Sequence, residues 1–311
     1  MLVWQLDDVA WGDLGPEWGP SSPAWLILAV ASLLAAFALS TVRWRTVLAP
    51  LATPPRFARM FSHFLAGQFV SNVLPTSFGG DVVRIARLGS DLRDPAPAFA
   101  SVTIERLTGW LVLPLLTLTA LAFQPSLRDL GSATTTAVAA AVVTLLALMV
   151  ILGAAANRRW TANAVAATGG KRWLAAIHLG VDALRRSPRH AITVILVGLA
   201  FQSLQCVAVW ATAQAIGVQQ VTLGAALAFF PAAAIMQNAP IGIGGLGIRE
   251  GAFVLFFGAL GASDASAITL GLAVYLLTVL TSALGAPAFA FGGPSARNLQ
   301  TLDLSQPDRT S

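Results

Sequence analysis

Two arginines stand where arginine is costly. Arg84 and Arg249 each lie in sequence otherwise apolar enough for a lipid bilayer, and each closes the same pattern, P-x3-GG-x3-R. The first copy is Pro75, Gly79, Gly80 and Arg84, within NVLPTSFGGDVVRI (72–85). The second is Pro240, Gly244, Gly245 and Arg249, within NAPIGIGGLGIREGAFVLFF (238–257), and all four pairs are 165 residues apart. An arginine at the bilayer centre costs about 2.5–3.5 kcal/mol on insertion scales, so it must face a cavity or a partner. At the start of a half-helix, the guanidinium fork and the free backbone N–H groups together suit a phosphate. The competing reading is an internal salt bridge, Arg84 with Asp81, or Arg249 with Glu105 or Glu250. Both readings hold if the pair opens when an anionic headgroup arrives.

The glycines beside the arginines permit φ > 0 and close backbone approach. With Pro75 and Pro240, the residues Gly79, Gly80, Gly244, Gly245 and Gly247 read as hinges, against the alternative of tight helix packing by small residues. Gly242 completes a G-x-G-x-x-G string, but no strand precedes it, which excludes a dinucleotide loop. Glu105 and Arg106 lie in the first turns of an apolar span, where Glu105 has to find a partner, so structural pairing is expected. His63 reads as an interfacial histidine rather than a proton relay. His63, His178 and His190 are far apart and Cys206 is alone, so neither a metal nor a cofactor is expected. No nucleophile–base set and no Asp-x-Asp element occurs, and the chain does not read as an enzyme.

These residues need elements to hold them. The 311-residue chain is 56% hydrophobic and 11% charged, with a mean hydropathy of +0.73. Soluble chains carry about 25% charged residues, so the composition is that of an all-α polytopic membrane protein. The net charge of +5 does not point to nucleic acid, because the basic residues sit in loops between apolar spans. All of the 19 basic residues except Lys171 are arginine.

Five full spans are expected: 24–45, 99–123, 134–153, 191–216 and 265–291. The first ends in Arg43-Trp44-Arg45, read as anchors at the cytoplasmic interface. The apolar arms around each P-x3-GG-x3-R pattern are too short to cross, since a span needs about 20 residues. They read as two re-entrant helical hairpins. Residues 157–190 are strongly basic, and Trp173, Leu174, Ile177, Val181 and Leu184 recur at helical spacing. That pattern suggests an amphipathic helix on the anionic cytoplasmic leaflet, against the alternative of a plain basic loop.

Adding 165 carries the first span onto the fourth and the second onto the last, in opposite directions. The expected organisation is an inverted-topology repeat in one membrane domain. Repeat A covers about 24–123, a connector span and basic segment 134–190, repeat B about 191–291, and a loose tail 292–311. A substrate site near the midplane follows, with Arg84, Arg249, Asp81, Glu250 and Glu105 as candidate binding residues.

At LPTSFGGDVVRIARL, SVTIERLTGWLVL and APIGIGGLGIREGAFVLFF, the chain resembles the lysylphosphatidylglycerol synthase transmembrane region, a flippase-like family. The likeness runs from about Ala24 to Phe291. It implies a bacterial inner-membrane, multi-pass module that translocates or accommodates an anionic, aminoacylated or polyprenyl-linked lipid between leaflets. The alternative is a non-transporting subunit that presents a lipid to a separate lipid-modifying enzyme. Membrane lipids are the expected partners. A soluble aminoacyl-transferase domain is not expected, and members usually begin with one further span, of which Leu2-Val3-Trp4 reads as a last turn.

Overall fold

The computed structural model describes residues 15–16, 18–73, 79–156, 170–237 and 247–292. Pro75, Pro240, Gly242, Gly244 and Gly245 lie outside the described residues. Among the described residues the α-helices are α1 (Ser22–Leu48), α2 (Phe57–Val73), α3 (Gly79–Leu92), α4 (Pro95–Phe123), α5 (Ser132–Ala156), α6 (Gly170–Arg186), α7 (Pro188–Ala215), α8 (Leu223–Gln237), α9 (Ile248–Gly258), α10 (Asp264–Ser282) and α11 (Gly285–Phe291). Helices are what lipid demands, since every backbone N–H and C=O must be paired within the segment.

Local sequence fixes several of the starts. The Asp94 side chain accepts from the Ala96 N–H at 2.9 Å with Pro95 at the first helical position, which opens α4. Pro188 plays the same part for α7, and the Ser263 hydroxyl caps α10 by accepting from Ser266 N–H. Five helices, α1, α4, α5, α7 and α10, are long and apolar enough to cross a membrane. They match the five expected spans, and the chain is an all-α multi-pass membrane protein. One boundary differs. The last span breaks at Ala283-Leu284, leaving α11 as a separate short helix seated on α2. The close seat explains the break: a Cβ on Gly285 would lie 2.1 Å from the Leu65 carbonyl oxygen.

Helices related by the 165-residue interval run in opposite directions where their contacts can be followed. The Ser22 hydroxyl, at the start of α1, donates to the Ala215 carbonyl at the end of α7 (2.6 Å), and the Trp25 and Trp210 rings meet at 5.0 Å. Arg43, near the far end of α1, stacks on Phe201 in the first half of α7. Each short pair, α2 with α3 and α8 with α9, forms a hairpin of helices below spanning length. Each hairpin also leans on the other half of the chain: α2 packs against α10 and α11, and α8 packs against α4.

Two expectations are corrected. Arg43 and Trp44 are not interfacial anchors, because they are 5% and 0% exposed and point into the helix bundle. Arg43 is held there by a buried carboxylate. The part of the basic segment's apolar stripe at Ile177, Val181 and Leu184 also faces protein rather than lipid. Ile177, Val181 and Leu184 of α6 pack with Val47, Ile104, Ala155 and Val194. Gly180 sits so close to Ile104 that a Cβ would be 2.1 Å from its Cγ1. A helix with an apolar face takes whichever apolar surface is nearest, and here the bundle supplies it.

At the base of the first hairpin, outside the five spans, Arg59 donates through Nε to Asp91 at 2.6 Å. The buried His63 reaches the same carboxylate with Nε2 at 2.9 Å. Burial pushes the Asp91 carboxyl up, but the hydrogen bonds from Arg59 and His63 outweigh it and hold it below the usual carboxylate range. A carboxyl depressed in the folded state contributes stability above its unfolded value of about 3.9, and loses it as pH falls through the folded value. Stability in detergent should therefore decline on acidification below about pH 4. Asp91→Asn should lower stability at neutral pH and flatten that decline; an unchanged acid limb would remove Asp91 as its source.

Candidate functional site

Glu105 is the centre of the site. It sits about 15 Å into α4 at 1.5 Å per residue and is 3% exposed. A bare carboxylate at that depth could not stay charged, so its partners decide its state. Oε1 accepts from Ser40 Oγ at 3.3 Å and from Arg43 Nε at 3.1 Å, and Arg43 Nη2 closes the pair. Oε2 accepts from Arg84 Nη2 at 3.0 Å. One carboxylate thus ties α1 and α3 to α4.

Arg84 reaches it because glycine clears the way. A Cβ on Gly67 would meet the Arg84 Cγ at 2.7 Å, and a Cβ on Gly80 would lie 2.2 Å from the Gly67 carbonyl oxygen. Gly79 and Gly80 form the first turn of α3, and what Gly80 requires is space. The Arg84 guanidinium then lies 4.2 Å over the Trp44 ring, with Phe64 at 5.2 Å. Trp44 is itself held by donating to Ser101 Oγ at 3.0 Å. Arg84 also stands 3.6 Å from Asp81, which is ion-paired with Arg106. Arg43 fits a slot between Gly109 and Gly198, whose added Cβ atoms would come within 3.6 and 3.5 Å of its Nη1.

These groups line a cavity of about 280 Å³ between α1, α2, α3, α4, α7 and α8. Gln202 of α7 and Gly67 and Ser71 of α2 complete the wall. Of the residues expected from the sequence, Asp81, Arg84 and Glu105 line this cavity, and Arg84 lies beside Asp81 as its spacing suggests. Arg43, Trp44 and Gln202 were not expected at the site. Arg43 was legible in principle, as one of the two arginines that a buried Glu105 takes as partners.

The second motif is built differently. Arg249, at 6% exposure, donates from Nε to Gln237 Oε1 at 3.3 Å and lies 4.6 Å from the Tyr275 ring. Among the described residues its Nη1 has no hydrogen-bond partner. Among the described residues it makes no ion pair within 4.0 Å with either Glu105 or Glu250, so neither expected bridge forms. Glu250 instead accepts from the Gly247 N–H at 2.6 Å, capping α9, and among the described residues its Oε1 has no hydrogen-bond partner. Gly247 has φ +84°, a left-handed conformation that favours glycine. Tyr275 also donates to the Asn72 carbonyl at 3.4 Å, which sets Arg249 close to the last turn of α2.

Residues 1–285 match the family model described as the lysylphosphatidylglycerol synthase TM region. The chain belongs to that family. The lysylphosphatidylglycerol synthase TM region is a membrane domain related to lipid handling, and the buried arginine cluster lies wholly inside the matched stretch. No curated protein matches the chain.

Proposed function

We propose that this lysylphosphatidylglycerol synthase TM region protein translocates an amphiphilic lipid, or accommodates its headgroup, between the leaflets of a bacterial inner membrane. It acts without catalysis. The observation that carries the reading is the cavity itself: buried guanidinium and carboxylate groups line open space inside a bundle of apolar helices. Polar cavities of this kind inside a bundle mark substrate pathways.

In this reading repeat A (about 24–123) and repeat B (about 191–291) are inverted copies around a midplane site. Arg84 holds the headgroup first, and Arg249 receives it when the hairpins rock. Gly79, Gly80, Gly244, Gly245 and Gly247, with Pro75 and Pro240, supply the hinges. Asp81 and Glu105 hold Arg84 while the site is empty, and Glu250 caps α9 beside Arg249.

The test is headgroup transport in reconstituted vesicles. Arg84→Ala leaves the Arg43–Glu105 pair in place, so the protein should fold, while transport falls about tenfold or more for the loss of a charge-assisted contact. Arg249→Met should behave in an unusual way. It removes a buried cation that makes no ion pair within 4.0 Å among the described residues, so unfolding should shift to higher denaturant by about 1 kcal/mol or more while transport falls. Unchanged rates in both variants would sink the arginine roles. Lipid binding by the purified protein with no transport at all would favour the non-transporting subunit that presents lipid to a partner enzyme.

A further inference from the structure

We propose that α11 is a clasp, fastened to the first hairpin by Arg87 and released when His63 takes a proton. The clasp lies at the base of that hairpin, apart from the cavity, and stands or falls independently of the proposed function.

Helix α11 has only 7 residues and is cut off from α10 by the break at Ala283-Leu284. A helix this short is marginal in water by itself, so its seat must hold it. Gly285 lies against the Leu65 carbonyl, and the Phe289 ring meets Phe69 at 6.0 Å. The fastening is Arg87 of α3. It donates from Nη1 to the Ala288 carbonyl at 2.7 Å and from Nη2 to the Phe289 carbonyl at 2.8 Å. A cation suits these oxygens, because the last carbonyls of a helix are short of donors and form its negative end. Arg87 is 7% exposed, and among the described residues it forms no ion pair within 4.0 Å. Neutral carbonyls therefore hold a buried cation, and that hold is sensitive to any charge placed beside it.

His63 is the group that can place one. It is 3% exposed, its Nε2 meets Asp91 Oδ2 at 2.9 Å, and among the described residues its Nδ1 has no hydrogen-bond partner. The charged groups that act on the ring are Asp91 and Arg87 from α3 and Arg59 from α2 itself. Farther along α3, Asp81 and Arg84 face the cavity. Of the other helices packed on α2, α11 carries no charged side chain. On α10, Asp264 is in the first turn and Tyr275 is turned to Arg249 and Asn72. On α1, Arg43 is paired with Glu105 and Arg45 lies in the last turn.

With His63 neutral, Arg59 and Arg87 exceed Asp91 by one charge. A proton on His63 raises the excess to two, in a place with little water to screen it. Releasing α11 costs two hydrogen bonds to carbonyls and lets water hydrate both Arg87 and the imidazolium. Burial holds His63 below its ordinary pKa against the pull of Asp91, and Arg59 and Arg87 lower it further. The fastened form thus takes up the proton less readily than the released form, and release grows as pH falls below about 6.5. Asp91 stays ionised there, since its partners hold it below the usual carboxylate range.

Hydrogen exchange of the full chain in detergent reads the clasp directly, because a released helix this short frays. Protection of the α11 amides, taken relative to the intrinsic rate at each pH, should fall about tenfold between about pH 7.5 and 5.5 while α5 keeps its protection. His63→Gln keeps a donor for Asp91 but takes no proton, so its α11 protection should stay level across that range. Arg87→Met should lower α11 protection about tenfold at both ends of it. Wild-type protection that ignores pH, or that falls equally in His63→Gln, would remove the switch. Wild-type protection in Arg87→Met would remove the fastening. Parallel loss in α5 would mean general unfolding and overturn the clasp as a local device. None of these readings involves transport: a failed clasp leaves the proposed function standing, and a protein that moves no lipid can still open and close α11.

Discussion

Glu105→Ala should unfold more readily than the wild type by about 3–5 kcal/mol, the cost of leaving buried charges without their partner. The single carboxylate balances Arg43 through Oε1 and Arg84 through Oε2, and both arginines are 5% exposed. Alanine strands the Arg43 guanidinium outright and leaves Arg84 with only Asp81 at 3.6 Å. The loss is greater than for either arginine alone, because removing one arginine leaves the carboxylate still paired. Glu105→Gln, which keeps an acceptor without the charge, should fall between the two. Adding Arg43→Met to Glu105→Ala should recover part of the stability, since it removes one stranded cation. Detergent unfolding curves of the four proteins give the comparison. A Glu105→Ala loss below about 1 kcal/mol would mean that the carboxylate does not hold the cluster.

Gly80→Val should be nearly as damaging, at about 3 kcal/mol or more, through crowding rather than charge. A Cβ at Gly80 would stand 2.1 Å from Ser71 Oγ and 2.2 Å from the Gly67 carbonyl oxygen. A hydroxyl can rotate away, but a helix carbonyl cannot, so α3 would have to lift from α2. Lifting α3 draws Arg84 away from Glu105, because the arginine lies across Gly67. The variant should therefore lose ligand binding even at temperatures where it remains folded. Ser71→Gly in the same chain relieves only the flexible contact and should restore little. Restoration to wild-type stability would show that the hydroxyl, and not the backbone, sets the limit.

The spans were legible because a twenty-residue apolar run has one physical outcome in lipid. The starts of α4 and α7 fell within four residues of expectation, each set by a proline. The Arg84–Asp81 pair was readable from its i, i+3 spacing on one helix. Partners from distant segments were not. Arg43 and Trp44 at the end of a span satisfy the interfacial-anchor pattern as well as they satisfy a buried site, and only tertiary packing separates the two. Gln202 is a lone amide in an apolar helix, with nothing in its neighbours to say that it faces a cavity. Arg249 shows the converse failure: acidic residues were near in sequence, yet Glu250 was spent on capping α9. The break before α11 did leave a trace, since Gly285 and Pro287 stand where an unbroken span would not favour them.

The leaning of each hairpin on the opposite half of the chain also governs biogenesis. Helix α4 is complete at Phe123, but α8, which packs on it, begins only at Leu223. At typical synthesis rates of about 5–20 residues per second, that is a wait of roughly 5–20 s. The C-terminal partners of α2, helices α10 and α11, arrive later still. Until then the first hairpin must be shielded by lipid or by the insertion machinery. The first hairpin to be made thus gains its last packing partners only when the final helices emerge.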